Sequence, residues 1–300
     1  MHVRLISKDN GLGLSRDMAI LRRTLIAISG EKMRVETVDW QSKPSPERAD
    51  LNIFLELVNP AHFRAAKRNI FVPNPEWFMR EWRPHLQGFD QVWAKTRDCE
   101  AIFKGLHRSV VFTGWTSPDL FDGTVERKKR LLHVAGGSSA KGTEQVLQAM
   151  AMLGDGFDLT LVSRKPWNAP ANVTQTGPLS DAELRRVMNE HAIHLCPSSY
   201  EGFGHYINEA RSVGAVIITT NAAPMNELVR PTFGLGAALA SVSAQNLAQH
   251  KHVEVSSLSQ CIAMAMTAPQ EVLDRLGKLA REAYLSDDSA FEEALIILLR

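Results

Sequence analysis

The sequence predicts an α/β protein made of two Rossmann-like domains facing each other across a cleft. Two observations carry this reading. Short apolar runs alternate with helical patterns along most of the chain, and that alternation implies parallel sheets with helices on both faces. A single irregular stretch, "GWTSPDLFDGTVERKKR" from Gly114 to Arg130, separates two such series and reads as a linker.

In the first series, Val3 to Ile6, Val35 to Val38, Leu51 to Leu57, Asn69 to Val72, Val92 to Ala94 and Val110 to Phe112 read as strands. Met18, Leu21, Leu25 and Ile28 form one face of an intervening helix. In the second series the strands are Leu131 to Val134, Leu159 to Val162, Ile193 to Leu195 and Val216 to Thr219. Val146, Leu147, Met150 and Leu153 mark one helix there, and Leu184, Val187 and Met188 another. After Gln270 only helical patterns remain. The expected division is 1–118, a first Rossmann-like domain; 119–285, a second; and 286–300, a helix packing back toward the first.

Composition narrows the function. The 300 residues are 44% hydrophobic and 22% charged, an ordinary globular balance that suits two domains. A formal charge of +1 argues against a nucleic-acid backbone as the main partner. The basic clusters Arg127 to Arg130 and Arg64, Lys67, Arg68 read first as solvated faces. Three distant cysteines (Cys99, Cys196, Cys261) fit a reducing compartment, without a disulfide framework or zinc spacing. The start of the chain lacks a signal-peptide core, and no apolar run near either end is long enough to span a bilayer. The expectation is a cytoplasmic protein.

Ligands of open α/β sheets sit beyond the carboxyl ends of the strands, so the residues after each strand matter most. After the first strand, Gly11 and Gly13 in "SKDNGLGLSRD" fit either a phosphate-holding turn or a plain one; Arg16 stands where a dinucleotide fingerprint needs glycine. After Val134, "AGGSSAKGTEQ" puts Lys141 and Gly142 at a helix start. There lysine, mildly unfavourable beside the positive dipole end, reads either as the mobile cation at the rim of an anion site or as a solvated residue of the first turn. After Leu195, "CPSSYEGFGHYINEARSVGAVIITT" sets Glu201 before a helix opened by Gly202 or Gly204, with Glu209 further along it. Glycines flanking Phe203 let the backbone approach a ligand closely. Glu201 can serve sugar hydroxyls and Glu209 the vicinal hydroxyls of a ribose; equally, Glu201 can cap the helix and Glu209 lie on the surface.

That last stretch resembles the signature of retaining nucleotide-sugar glycosyltransferases of the GT-B fold, in the large glycogen-synthase-like family four. Glu201 and Glu209 match its E-x7-E spacing, Lys141-Gly142 its helix-opening lysine, Gly11 and Gly13 its N-terminal glycine turn, and Glu227 in "TNAAPMNELV" a later acidic position. The resemblance is strong from about Leu131 to Val229 and topological before that. It implies that Glu209 binds the ribose and Glu201 the transferred sugar. The amides of Gly202, Phe203 and Gly204 would face the donor, Lys141 would neutralise the leaving diphosphate, and Glu227 would lie near the nucleotide. It further implies metal-independent chemistry without a cofactor, on a nucleotide-diphosphate-sugar donor and a hydroxyl acceptor such as a glycan or a lipid-linked sugar.

Two departures stand out. The family usually has an arginine five residues before the lysine, where this chain has Gly136; Arg164 or Lys165 is the candidate replacement. The family often has a histidine after its fourth N-terminal strand, where this chain reads "NIFVPNPEWFMREW". There Glu76, beside Asn74, either orients an acceptor hydroxyl or opens the helix that Pro75 starts. Trp77 and Trp82 fit an acceptor groove or the core, and His205 the sugar or mere packing. His191 and His194 lack partners at metal-ligand spacing, and Ser198-Ser199 lacks a hydrolase setting. A non-catalytic sugar-nucleotide binder or subunit of a larger transferase is the alternative. Peripheral contact of Arg64, Lys67 and Arg68 with a membrane's inner face is a further expectation.

Overall fold

The structure is a computed structural model that describes residues 1–11, 13–30 and 32–300. The chain forms two units. The first comprises Met1–Thr116, Gln245–Ala248 and Asp287–Arg300, the second Ser117–Ala244 and Gln249–Ser286.

The first unit is a parallel six-stranded sheet. Its elements are β1 (His2–Ser7), α1 (Gly13–Ser29), β2 (Arg34–Asp39), β3 (Ala49–Leu55), β4 (Ala66–Val72), β5 (Gln91–Ala94), α2 (Arg97–Lys104) and β6 (Val110–Phe112). The strand order is β2-β1-β3-β4-β5-β6, with Val3 level with Leu51 and Ile53 with Ile70. β3 ends at Leu55 rather than Leu57, because Glu56 turns into the left-handed region at φ 64°. Aromatic rings fill this core: Phe54 meets Phe89 edge-on at 5.2 Å, and Phe71 stacks on Phe89 at 4.9 Å. Such pairs add to the burial of their area. Trp82 belongs to this core, whereas Trp77 is 48% exposed. Thr96 caps α2 by accepting from the Cys99 amide.

The second unit repeats the plan with β7 (Lys128–Gly136), α3 (Thr143–Leu153), β8 (Leu159–Ser163), β9 (Val173–Thr176), α4 (Asp181–Glu190), β10 (His191–Cys196), α5 (His205–Ser212), β11 (Val216–Thr220), α6 (Met225–Leu228) and β12 (Gly234–Ala237). Its parallel sheet has the order β12-β11-β10-β7-β8-β9. The hairpin β13 (Leu239–Gln245) and β14 (Ala248–Val253) leads to α7 (Val255–Thr267) and α8 (Gln270–Leu298). The final helical pattern is thus one unbroken helix of 29 residues. Lys128 to Arg130, expected in the linker, already belong to β7. Arg127 donates to the carbonyls of Val213 and Gly214, Lys128 to Glu190 at 2.9 Å and Lys129 to the Ala268 carbonyl at 2.6 Å. The basic run therefore anchors the sheet's first strand instead of forming a free cationic face. Among the described residues no helix is long and apolar enough to cross a membrane.

Both sheets reverse strand order at one point. In the first unit it lies between β1 and β3, in the second between β7 and β10. Such switch points open a crevice outside the carboxyl ends of the strands.

Candidate functional site

At the switch point of the second unit, the chain leaving β7 meets the chain leaving β10. The first passes through Gly136, at φ 58°, and a short 3₁₀ turn (Ser139–Lys141) to Gly142, which opens α3 at φ 70°. Both glycines hold a backbone conformation that side chains disfavour. The second runs Pro197, Ser198, Ser199 to Glu201 and then to Gly204, the N-cap of α5 at φ 102°. A β-carbon at Gly204 would lie 3.2 Å from Leu228 and 3.3 Å from Ile207, so the turn suits glycine alone on both counts.

Lys141 and Glu201, sixty positions apart in sequence, meet there. The Lys141 ammonium donates to Glu201 Oε1 at 2.6 Å. Their side chains are only 20% and 12% exposed, which spares the pair much of the screening of open solvent. Ser198 Oγ donates to the same carboxylate oxygen at 2.5 Å and lies 2.6 Å from the Tyr206 hydroxyl. With its own proton on Glu201, Ser198 accepts from Tyr206. The Tyr206 ring carries the ammonium on its face, 3.8 Å from the centroid. Glu201 is therefore not the helix cap: Gly204 holds that position, without a side-chain bond.

Glu209 is buried, at 6% exposure, rather than on the surface. It lines one small cavity with Tyr206 and Cys196. Phe203 is buried beside His205, ring centroids 5.5 Å apart, and His205 Nδ1 lies 2.9 Å from Ser117 Oγ. Gly202 lies part-buried between Glu201 and Phe203. Glu227 sits part-buried on α6, after β11. Thr219 and Thr220 of β11 donate to the carbonyls of Cys196 and Ser198, at 2.8 and 2.5 Å, and so fix the strand end that carries Glu201.

Behind the lysine loop stands His133 of β7. Its Nδ1 lies 2.8 Å from the Leu195 carbonyl and its Nε2 2.9 Å from Thr143 Oγ1, so the ring is neutral, donating to one and accepting from the other. Burial pushes its pKa down to about 4. His194, buried against the Met188 carbonyl at 3.0 Å, is pushed down to about 3, again chiefly by burial. His191 bonds the Val187 carbonyl at 2.7 Å and Thr160 at 2.8 Å. These three histidines are packing groups tied to carbonyls and hydroxyls. Arg164 is exposed, and its amide donates to the Gly136 carbonyl at 3.2 Å, so its backbone adjoins the position of the missing arginine. No group of three His, Cys, Asp or Glu side chains capable of holding a metal occurs among the described residues.

The first unit gathers a second polar group at its own carboxyl strand ends. Lys95, after β5, donates to Asp17 of α1 at 2.8 Å, with both side chains at 5% exposure or less. Asn74 donates to Glu56 at 2.5 Å, and burial raises the Glu56 carboxyl above its ordinary range. Glu76, 3% exposed in the 3₁₀ turn that Pro75 opens, adds its charge to the Lys95 environment. Its backbone carbonyl accepts from Asn246 at 2.6 Å and Gln245 at 3.2 Å. The Gly11 amide is spent within its own loop, on Ser15 Oγ at 2.7 Å and Asp9 at 3.1 Å, while Gly13 is exposed at the start of α1. Sequence reasoning passed over Tyr206, Glu56 and the Asp17–Lys95 pair. Tyr206 was legible only as an aromatic in the motif helix, and the other two carried no spacing signal.

Residues 117–251 match the family model described as glycosyl transferases group 1. A GDP-mannose:cellobiosyl-diphosphopolyprenol alpha-mannosyltransferase of Komagataeibacter xylinus is 44% identical over 73 residues, a segment that spans 24% of this chain and 17% of that protein. Among solved structures, a sucrose-phosphate synthase of Thermosynechococcus elongatus superposes with a TM-score of 0.72 at 13% identity, over 100% of this chain and 98% of that one. A glycosyltransferase of Rickettsia africae gives 0.71 at 12% identity, over 99% and 97%. The chain has the GT-B fold, and the stretch from 117 to 251 is similar to glycosyl transferases group 1.

Proposed function

We propose that the protein is a retaining glycosyltransferase that moves a sugar from a nucleotide-diphosphate sugar to a hydroxyl acceptor. The observation that carries this reading is the meeting of Lys141 and Glu201 at 2.6 Å beside the switch point of the second sheet, with Glu209 buried on the helix that follows. An ammonium there neutralises charge that develops on the diphosphate as the glycosidic bond breaks, and fixed charges aimed at a developing anion lower the barrier. Glu201 takes the hydroxyls of the sugar and Glu209 those of the ribose, while Glu227 and the Gly202–Gly204 turn border the nucleotide. Arg164 supplies the second cation in place of an arginine at 136. The reaction is front-side, the diphosphate oxygen drawing off the acceptor proton, and needs no metal.

In the first unit the acceptor hydroxyl is received by the Glu76 group. Lys67 is engaged by Asp50 at 2.7 Å, which leaves Arg64 and Arg68 as the exposed cations for an anionic membrane surface. Liposome flotation at two salt concentrations tests that contact, since screening weakens it.

Release of nucleoside diphosphate from UDP-, GDP-, ADP- and dTDP-sugars tests the activity. GDP-mannose comes first, because the relative's name contains it. Lys141→Ala and Glu201→Ala are expected to lower turnover about 100-fold to 1,000-fold, the size of effect seen when one fixed electrostatic donor is removed. Binding of a nucleotide sugar without turnover, at any acceptor tried, would instead favour the binder reading.

A further inference from the structure

The Lys141 ammonium has two supports of different kinds. One is an anion, Glu201 at 2.6 Å; the other is the face of the Tyr206 ring, 3.8 Å from its centroid. A diphosphate that binds Lys141 competes with the first and not with the second, because a ring quadrupole attracts the cation whatever anion stands on its far side. Tyr206 also holds Glu201 through its hydroxyl, by way of Ser198. It therefore acts on both charges of the pair, on the ammonium directly and on the carboxylate through Ser198, and it lines the small cavity that Glu209 borders.

We propose that Tyr206 is a positioning residue of the donor site and that Glu201 occupies Lys141 as a built-in competitor of the donor's diphosphate. When a diphosphate takes over the ammonium, the ring keeps the lysine in place. The displaced carboxylate stays tethered by Ser198, within reach of the sugar. Donor capture and delivery of Glu201 to the sugar thus become one exchange of ion pairs. This inference rests on the donor-site reading above.

The test is calorimetric titration of UDP, GDP, ADP and dTDP, which lack the sugar, into wild type and variants. Tyr206→Leu is expected to weaken the nucleotide that binds about tenfold, the strength of a partly desolvated cation–π interaction. Tyr206→Phe, which keeps the ring, stays within about twofold of wild type. In a Lys141→Met background Tyr206→Leu has no further effect, whereas a merely structural role would add its loss to that of the lysine. Glu201→Gln is expected to bind the nucleoside diphosphate several-fold more tightly than wild type, because the competing charge is gone, while its turnover of nucleotide sugar falls.

Equal affinity of wild type and Tyr206→Leu, additive losses with Lys141→Met, or unchanged or weaker binding by Glu201→Gln would each overturn the proposal. If Tyr206→Leu does not fold, the Glu201→Gln titration decides alone. Wild type that binds none of the four nucleotides would overturn the donor-site reading itself.

Discussion

Gly142 abuts Pro197 so closely that a β-carbon on the glycine would stand 2.2 Å from the proline's carbonyl oxygen. Close approach and a φ of 70° both demand glycine there, one residue after Lys141 and at the first turn of α3. The contact clamps the end of β10 to the start of α3, and so sets Lys141 opposite Glu201. Gly142→Ala is expected to cost about 2–4 kcal/mol from the left-handed backbone and the clash together. Urea titration measures the loss, and donor affinity should fall with it because the lysine is displaced.

The missing arginine has a backbone explanation. Position 136 is left-handed at φ 58°, although no atom stands within 4 Å of a β-carbon built there. Gly136→Arg is therefore expected to cost about 1–2 kcal/mol of stability and to restore no donor affinity. Arg164 adjoins it through the Gly136 carbonyl. Arg164→Ala should weaken nucleotide-sugar binding about tenfold to a hundredfold, the worth of one charge-assisted hydrogen bond to a phosphate. An Arg164→Ala protein that binds donor like wild type would remove Arg164 from the site.

Acid should loosen the second unit through its buried histidines. His133 and His194 have folded pKa values of about 4 and about 3, below the ordinary 6.5. The unfolded chain therefore binds protons that the folded one refuses. Stability is full above 6.5 and is lost progressively as pH falls toward 4 and 3. His194→Gln is expected to flatten the fall of Tm between pH 6.5 and 4. A slope equal to that of wild type would show that other groups set it.

In the first unit the sign reverses at Glu56. Burial raises its carboxyl above the ordinary 4.5, so the fold favours the protonated form and loses stability as pH rises from 4.5 through the raised value. Asn74, Lys95 and Asp17 are the groups that act on it. Glu56→Gln should raise Tm at pH 7, with the gain vanishing near pH 4. By contrast, Lys95→Met alone strips the buried Asp17 carboxylate of its ion pair with the lysine and should cost about 3–5 kcal/mol. Asp17→Leu together with Lys95→Met should recover most of it, as chemical denaturation of the three proteins would show.

The fold was legible wherever strands were apolar and buried. β1, β3 and β4 each hold a short apolar run, Leu5-Ile6, Ile53-Phe54-Leu55 and Ile70-Phe71-Val72, and all three sit inside one parallel sheet. β9 reads Val-Thr-Gln-Thr and β12 Gly-Leu-Gly-Ala, too polar or too glycine-rich for that signal. The β13–β14 hairpin is largely solvent-facing and carries only weak alternation. In the site, the Glu201-to-Glu209 spacing and the lysine before a helix were visible because local sequence fixes them. Tyr206 was not, because its role depends on a ring meeting a lysine 65 positions earlier and a hydroxyl meeting Ser198 across the turn.

Whether the buried Glu209 holds a nucleotide sugar is decided by a thermal-shift panel of UDP-, GDP-, ADP- and dTDP-sugars on wild type and Glu209→Ala. One donor is expected to raise the wild-type Tm by several degrees and to leave folded Glu209→Ala unmoved. A donor that stabilises both proteins equally, or no donor that stabilises folded wild type, would contradict that role of Glu209.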